Sequence, residues 1–129
     1  MNERHVSIII FYDKKKRILM QKRKNISKYG EEWGFFGGGI EEGESPEEGL
    51  KREIKEELCY ELKEFKFFKK YPSRIYGDMK VSYSVFIALL PLISEFKQTE
   101  GDLMKLFSID EAKKLKLVDG DYPILNDLE

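Results

Sequence analysis

The chain opens with two short apolar segments separated by a polar turn. β-Branched and aromatic residues are concentrated in His5 to Tyr12 and in Arg17 to Lys22, and the polar run Asp13 to Lys16 lies between them. Apolar runs bounded by a short polar segment are typical of a β-hairpin. The pattern therefore predicts a pair of antiparallel strands at the start of the fold, followed by a polar connection over residues 25–32.

A helix is predicted from Pro46 to about Leu58. Ser45 is a suitable N-cap, Glu48 three residues later completes a capping box, and proline fits the first helical position. The apolar positions of this segment recur at every fourth residue, as expected for a helix that buries one stripe. They are Leu50, Ile54 and Leu58.

The second half of the chain predicts three more strands and another helix. The strands are Phe65–Tyr71, Lys80–Leu90 and Leu103–Phe107. The second of them ends in a continuous apolar run, which is typical of a central strand. A capping box at Ser108 and Glu111 predicts a helix over Ile109–Lys116. Strands arranged as hairpins, with two or three helices, indicate an α+β fold in which helices pack on the faces of a mixed sheet.

Composition limits the classes of function. A chain of 129 residues with 41% hydrophobic and 13% aromatic residues is expected to form one folded domain, residues 1–129. The 23 basic and 24 acidic residues nearly balance, so no net field attracts a nucleic-acid polymer or an anionic membrane. No apolar run is long enough to span a bilayer, and we expect a cytoplasmic protein. A single cysteine and a single histidine exclude a zinc cage of thiolates and imidazoles, so any metal must be held by oxygen.

One face of the first predicted helix carries three carboxylates. Spacings of three and four residues return to the same side of a helix, so Glu53, Glu56 and Glu57 fall within about 100° of one another. Like charges at these spacings repel, and a hard divalent cation such as Mg²⁺ would neutralise them. Acidic helix faces are more often simply solvated, which is the interpretation we prefer for Glu47 and Glu48. For Glu53, Glu56 and Glu57, the sequence predicts a metal site.

Three glycines precede this helix. Without a Cβ, the backbone of Gly37, Gly38 and Gly39 can approach a ligand closely and offer carbonyl oxygens to a metal or N–H groups to phosphate. These glycines belong to the stretch Trp33–Glu44, in or beside which we expect a bend between two ordered elements.

The glycines and glutamates belong to a longer pattern. Gly38 is followed by five residues, then Glu44, then seven residues and the run Arg52-Glu53-Ile54-Lys55-Glu56-Glu57. The pattern resembles the Nudix box, the signature of hydrolases that cleave a nucleoside diphosphate linked to another group. Six agreeing positions are expected by chance on the order of once in ten million registers.

The sequence departs from the family pattern around the box. The glycine and aliphatic residue that close the box are Cys59 and Tyr60 here, and Phe36 replaces a common proline before the glycines. Because Cys59 is not glycine, we expect the helix to end differently from the usual glycine cap or to run slightly longer.

The resemblance implies a Nudix-type α/β/α sandwich and a hydrolysis in which water attacks phosphorus in a pyrophosphate bridge. It implies Mg²⁺, or Mn²⁺ in its place, as the cofactor. The implied metal ligands are the Gly38 carbonyl, Glu53, Glu56 and Glu57. Arg52 would orient a carboxylate, and Glu44 would brace the loop or coordinate the metal through water. The general base would be a glutamate of the box or Glu100, which is otherwise an extra ligand or a plain loop residue.

The resemblance also implies a small nucleotide substrate, and the simplest case is a MutT-like enzyme that cleaves a (d)NTP such as 8-oxo-dGTP to a monophosphate and pyrophosphate. The alternatives are an ADP-ribose or dinucleoside polyphosphate hydrolase and a non-catalytic nucleotide sensor. Substrate contacts are implied for Gly37, Gly38, Gly39, Arg23 and Asp119, with Asp121 nearby. Trp33, Phe35, Tyr76 and Tyr83 could stack on a base, although core positions explain Phe35 and Tyr83 better. We expect a monomer or a homodimer.

Overall fold

The computed structural model describes residues 2–22, 33–76, 78–97, 103–115, 117 and 121–128. Within these ranges the chain forms seven β-strands, three α-helices and a short 3₁₀ helix at Ile93–Glu95. The strands are β1 (Asn2–Tyr12), β2 (Ile18–Lys22), β3 (Trp33–Gly34), β4 (Phe36–Gly39), β5 (Lys66–Tyr76), β6 (Met79–Leu89) and β7 (Leu103–Phe107). The α-helices are α1 (Pro46–Leu58), α2 (Ile109–Lys113) and α3 (Asp121–Asp127).

The strands form one mixed sheet. β6 runs parallel to β1 along its whole length, and β5 pairs antiparallel with the other side of β6. On its opposite edge, β1 pairs antiparallel with β4 and, at Tyr12, with the start of β2. β2 continues the sheet through β3 and β7. The predicted hairpin and the internal position of the Lys80–Leu90 strand are therefore confirmed.

Helices cover both faces of the sheet. Along β1, Ile9 and Phe11 pack in one apolar cluster with the stripe of α1, and Ile8 and Ile10 pack in another that includes residues of α2 and α3. The predicted stripe of α1, Leu50, Ile54 and Leu58, is fully buried. The alternation of neighbouring β1 residues between two cores confirms the α+β sandwich. None of the helices in the described ranges has the length and apolar character of a membrane span.

The chain turns at residues 41–44, between β4 and α1, so the bend lies at the end of the stretch Trp33–Glu44, whereas its three consecutive glycines belong to a strand. Phe36–Gly39 pairs antiparallel with Val6–Ile9. At Gly37 the φ angle is +142°, and an added Cβ would lie 2.0 Å from the carbonyl oxygen of Ser7. Local composition indicates only that the backbone is free to adopt unusual conformations, whereas pairing with β1 makes it extended.

The helix α1 begins and ends where predicted. The hydroxyl of Ser45 accepts a hydrogen bond from the Glu48 N–H at 3.1 Å, and the Glu48 carboxylate accepts one from the Ser45 N–H at 2.9 Å. At the other end, Cys59 adopts the left-handed conformation, with φ 50° and ψ 37°, and donates its N–H to the carbonyl of Lys55. The expectation of a different or longer end is wrong, because a cysteine takes the conformation that glycine usually supplies.

The C-terminal helices differ from the prediction. α2 has the predicted capping box but ends at Lys113 rather than at Lys116. α3 was not predicted, since its seven residues carry little periodic signal. Its Ile124 and Leu125 are fully buried against the sheet. Helices this short are marginal in isolation and depend on such packing.

Candidate functional site

The predicted glycines and glutamates meet where β4 leads into α1. A Cβ added at Gly38 would lie 2.5 Å from the carboxyl carbon of Glu53 and 2.6 and 2.8 Å from its two oxygens. The Glu53 carboxylate therefore occupies the space that a side chain at position 38 would need. The bare backbone at Gly38 is what allows this close approach.

The first turn of α1 is fastened to the sheet. The hydroxyl of Ser7, fully buried on β1, donates a hydrogen bond of 2.8 Å to the carbonyl of Pro46. This contact fixes the start of the helix over β1, so that Glu53 reaches Gly38 two turns later. Ser7 was not among the predicted site residues, although a polar residue inside an apolar strand is a usable signal.

The Arg52 guanidinium joins the loop, the strand and the helix. It forms a bidentate pair with Glu44, with Nε 2.8 Å from Oε2 and Nη2 3.0 Å from Oε1. Nη2 also donates to the carbonyl of Gly39 at 2.8 Å, and Nη1 donates to Oε1 of Glu53 at 3.0 Å. Bidentate, charge-assisted contacts of this kind fix orientation as well as adding energy. Arg52 thus positions the Glu53 carboxylate from one side.

Electrostatic interactions keep Glu44 and Arg52 ionised. The hydrogen bonds from Arg52, with the backbone N–H of Glu41 in addition, hold the pKa of Glu44 below its usual range. The same contact with Glu44, and then the one with Glu53, raises the pKa of Arg52 further above its ordinary value. Both groups therefore carry their charges throughout the neutral pH range.

The three glutamates of the helix lie at different depths. Glu57 is buried, with 3% of the residue exposed, whereas the side chain of Glu53 is 19% exposed and that of Glu56 is 60% exposed. Glu57 takes part in polar interactions, and its Oε2 atom is enclosed without a hydrogen bond from the described residues. Glu56 approaches Nη1 of Arg52 at 3.5 Å from the solvent side. The three predicted carboxylates therefore range from buried at Glu57 to exposed at Glu56.

The donor chemistry fits a hard cation. Among the described residues, no three acidic, histidine or cysteine side chains are grouped closely enough to hold a metal ion by themselves. Mg²⁺, however, is commonly bound by one or two carboxylates, and waters and substrate phosphates complete the octahedron. The Glu53 carboxylate beside the bare backbone of Gly38, with Glu57 on the same helix, provides oxygen donors of that kind. Glu56 would have to turn inward from its exposed position to add a third.

Several predicted residues cannot be placed. Arg23, Glu100 and Asp119 lie outside the described residues, and so does the side chain of Tyr76.

The aromatic residues near the site divide between core and edge. Phe35 is 4% exposed, and Tyr83 packs against the same apolar cluster, which confirms the core interpretation for both. Trp33 is half-buried and contacts the ring of Phe107 edge to face, with 4.9 Å between ring centroids. Much of the Trp33 surface is thus used in packing.

The structure adds one cation to the site that the sequence analysis missed. The guanidinium of Arg4, on β1, lies so close to Gly39 that a Cβ added there would be 3.2 Å from Nε. No local signal marks Arg4, because it stands among other polar residues at the start of the chain.

Known proteins with a similar sequence or fold support one family. The sequence pattern of the NUDIX domain matches residues 1–128. An 8-oxo-dGTP diphosphatase of Buchnera aphidicola subsp. Schizaphis graminum is 29% identical over 128 aligned residues, which cover 96% of this chain and 90% of that protein.

Solved structures show the same fold at lower identity. The MutT NUDIX hydrolase of Burkholderia pseudomallei superimposes with a TM-score of 0.84 at 21% identity, over 100% of both chains. The dihydroneopterin triphosphate pyrophosphohydrolase of E. coli gives a TM-score of 0.78 at 20% identity, over 95% of this chain and 92% of that one. Because the domain pattern spans nearly the whole chain and the fold agrees with it, this protein belongs to the Nudix hydrolase family.

Proposed function

We propose that this protein is a Mg²⁺-dependent pyrophosphohydrolase that cleaves a nucleoside triphosphate to a nucleoside monophosphate and pyrophosphate. The observation that carries the proposal is the Glu53 carboxylate, packed against the bare backbone of Gly38 and fixed by Arg52. An oxidised purine nucleotide, 8-oxo-dGTP, is the first substrate to test, because the relative that is 29% identical over most of both chains is an 8-oxo-dGTP diphosphatase.

Nudix hydrolases generally use a divalent metal ion, and the oxygen donors of this site favour Mg²⁺, with Mn²⁺ as a substitute. In this proposal Glu53 and Glu57 hold the ion, and Glu56 is a further ligand once it turns inward. The Gly38 carbonyl is not a ligand as the resemblance implied, because Gly38 and Ser7 lie two residues along the ladder from the hydrogen-bonded pair Ile40 and His5, so this carbonyl points towards β1. When bound, the ion neutralises phosphate charge and polarises the phosphorus toward attack.

The protein's own groups supply positioning and proton transfer. Arg52, itself fixed by Glu44, holds the Glu53 carboxylate in place before any ligand arrives, which reduces the reorganisation needed during the reaction. If Glu56 does not bind the ion, its exposed carboxylate can accept a proton from water at the mouth of the site. Glu100 is the other proposed base. The pH profile of kcat distinguishes the two assignments. Protonation of the base makes kcat fall at low pH, so the glutamine variant of whichever glutamate is the base should no longer show this fall.

The proposal is tested with a panel of substrates in the presence of Mg²⁺. The panel comprises 8-oxo-dGTP, dGTP, dATP, dihydroneopterin triphosphate, ADP-ribose and diadenosine tetraphosphate, and the products are identified by chromatography. We expect a triphosphate to yield a monophosphate and pyrophosphate. Release of AMP from ADP-ribose, with no triphosphate cleaved, would favour the alternative hydrolase class. Nucleotide binding without any turnover would favour the sensor.

Two variants test the glutamate assignments. Glu53→Gln and Glu57→Gln keep the side-chain shape but remove the charge, and we expect each to lower kcat/KM by at least about 100-fold. Glu47→Gln is the matched control, because Glu47 lies exposed on the same helix and is assigned no role. Circular dichroism checks that the fold is kept. Wild-type activity in both Glu53→Gln and Glu57→Gln would contradict the assignment.

A further inference from the structure

We propose that Arg4 is a substrate-binding residue, whose guanidinium receives a phosphate group of the substrate beside Gly39. This inference rests on the proposed function, because it assigns one more contact to the same substrate. It is carried by the position of Arg4 relative to β4 and Glu53.

The sheet register brings Arg4 to Gly39. β1 and β4 are antiparallel, with Val6 opposite Gly39, and Arg4 lies two residues before Val6 on the same side of β1. A Cβ added at Gly39 would lie 3.2 Å from Nε of Arg4 and 3.4 Å from its Nη2. The guanidinium therefore covers the place where position 39 lacks a side chain.

Arg4 and Glu53 flank the same short piece of backbone. Neighbouring residues of a strand face opposite sides of the sheet, so Gly38 faces the Glu53 carboxylate while Gly39 faces Arg4. The Cα atoms of Gly38 and Gly39 are 3.80 Å apart. Together with the two Cα–Cβ bonds and the contacts of 2.5 Å and 3.2 Å from the added Cβ atoms, this spacing places the Glu53 carboxyl carbon and Nε of Arg4 at most roughly 13 Å from each other. A polyphosphate that contacts a cation at Glu53 can therefore reach Arg4 as well.

The backbone between these groups faces the site. In the described part of the chain, β4 pairs along one edge only, with β1. The carbonyl of Gly39 points away from that edge, because it accepts the hydrogen bond from Nη2 of Arg52 at 2.8 Å. A ligand at the open edge of β4 thus meets the acidic group on one face of the strand and the basic group on the other.

The charges at this end of the sheet favour an anionic ligand for Arg4. Glu44 and Glu53 are paired with Arg52, and Glu3 lies 3.7 Å from Lys80. The ion pairs found among the described residues do not include Arg4. A planar guanidinium presents paired N–H donors that match the geometry of a phosphate group.

The test measures binding of inorganic triphosphate with Mg²⁺ by isothermal titration calorimetry, with phosphate release followed in parallel. This probe has phosphates but no base or sugar. We expect Arg4→Ala to raise Kd by about 10- to 100-fold, the range for loss of a charge-assisted hydrogen bond. Arg4→Lys, which keeps the charge but not the fork, should raise Kd by only about 3- to 10-fold. The control Lys14→Ala, in the exposed turn of the first hairpin, should leave Kd within about twofold of wild type.

Several results would overturn the proposal. A Kd of Arg4→Ala for triphosphate within twofold of wild type would show that Arg4 makes no phosphate contact. The same conclusion follows if the wild-type protein does not bind triphosphate. A loss of nucleotide binding without a loss of triphosphate binding places Arg4 on the nucleoside instead. An equal loss in Arg4→Ala and Arg4→Lys, together with a lower Tm, indicates a purely structural role.

Kinetics separate this inference from the proposed function. With a nucleotide that wild type hydrolyses, Arg4→Ala should raise KM by the same factor as Kd and leave kcat within about threefold, because the contact is equal in the ground and transition states. Unchanged KM in the variant refutes the Arg4 contact while the hydrolase stands. Binding of triphosphate that depends on Arg4, with no nucleotide hydrolysed, supports the contact and refutes the hydrolase.

Discussion

Replacing Gly38 with alanine tests whether the site needs bare backbone beside Glu53. The added Cβ would lie 2.5 Å from the carboxyl carbon of Glu53, whereas non-bonded carbon atoms approach to about 3.5–4.0 Å. The carboxylate must therefore move by about 1 Å. It lies at the end of a flexible side chain, so the fold can absorb the movement. The 3.0 Å hydrogen bond from Arg52 cannot keep its present geometry.

The expected magnitudes differ for activity and stability. A displacement of about 1 Å in a group that positions the reaction costs on the order of 100-fold in rate, which corresponds to about 2.7 kcal/mol. The free energy of unfolding should change by less than about 1 kcal/mol. Alanine restricts the unfolded chain, which favours the folded state, and loss of the partly exposed contact between Glu53 and Arg52 offsets that gain.

The neighbouring glycines provide matched comparisons. At Gly37 the positive φ and the Ser7 carbonyl, 2.0 Å from an added Cβ, oppose any side chain, so Gly37→Ala should lower the free energy of unfolding by roughly 2–4 kcal/mol. At Gly39 an added Cβ meets only the flexible end of Arg4, so Gly39→Ala should keep the fold and mainly raise KM. The three variants thus separate a defect in folding, a defect in catalysis and a defect in substrate binding.

The assays are thermal unfolding followed by circular dichroism and initial rates with the best substrate of the panel. A kcat/KM of Gly38→Ala within threefold of wild type would show that the site does not need bare backbone at position 38. Equal losses of stability in Gly38→Ala and Gly37→Ala would show that both substitutions act on the strand and not on Glu53.

Three further predictions concern stability. Cys59→Gly should stabilise the protein by roughly 0.5–1 kcal/mol, measured from the urea midpoint at constant m, because glycine relieves the left-handed strain but is more flexible when unfolded; a lower midpoint would contradict this. The pKa of Glu44 is below its ordinary 4.5, so its contribution is present above pH 4.5 and is lost as the pH falls through the folded value. Wild type should therefore lose more stability than Glu44→Gln on acidification, and parallel curves of unfolding free energy against pH would exclude the linkage. Tyr71→Phe removes a 2.7 Å hydrogen bond to Asp127 on α3 and should cost about 1 kcal/mol, and an unchanged denaturation midpoint would show that this bond adds nothing.

Elements whose signals are local could be predicted from the amino-acid sequence. The limits of α1, its buried stripe and the helical spacing of its glutamates follow from residues within one or two turns of one another. The family resemblance of the box depends on the same kind of spacing, so it too could be recognised without coordinates. Capping and helical periodicity act over a few residues, which is why these predictions agree with the structure.

The way in which these elements meet depends on long-range contacts and is seen only in the folded chain. It places the glycine stretch in the sheet beside β1, makes Glu57 buried and Glu56 exposed on one helix, and brings Arg4 to Gly39. It also supplies the packing that lets α3 form. These features depend on contacts between residues far apart in the chain, whose energies are comparable to local preferences and can override them.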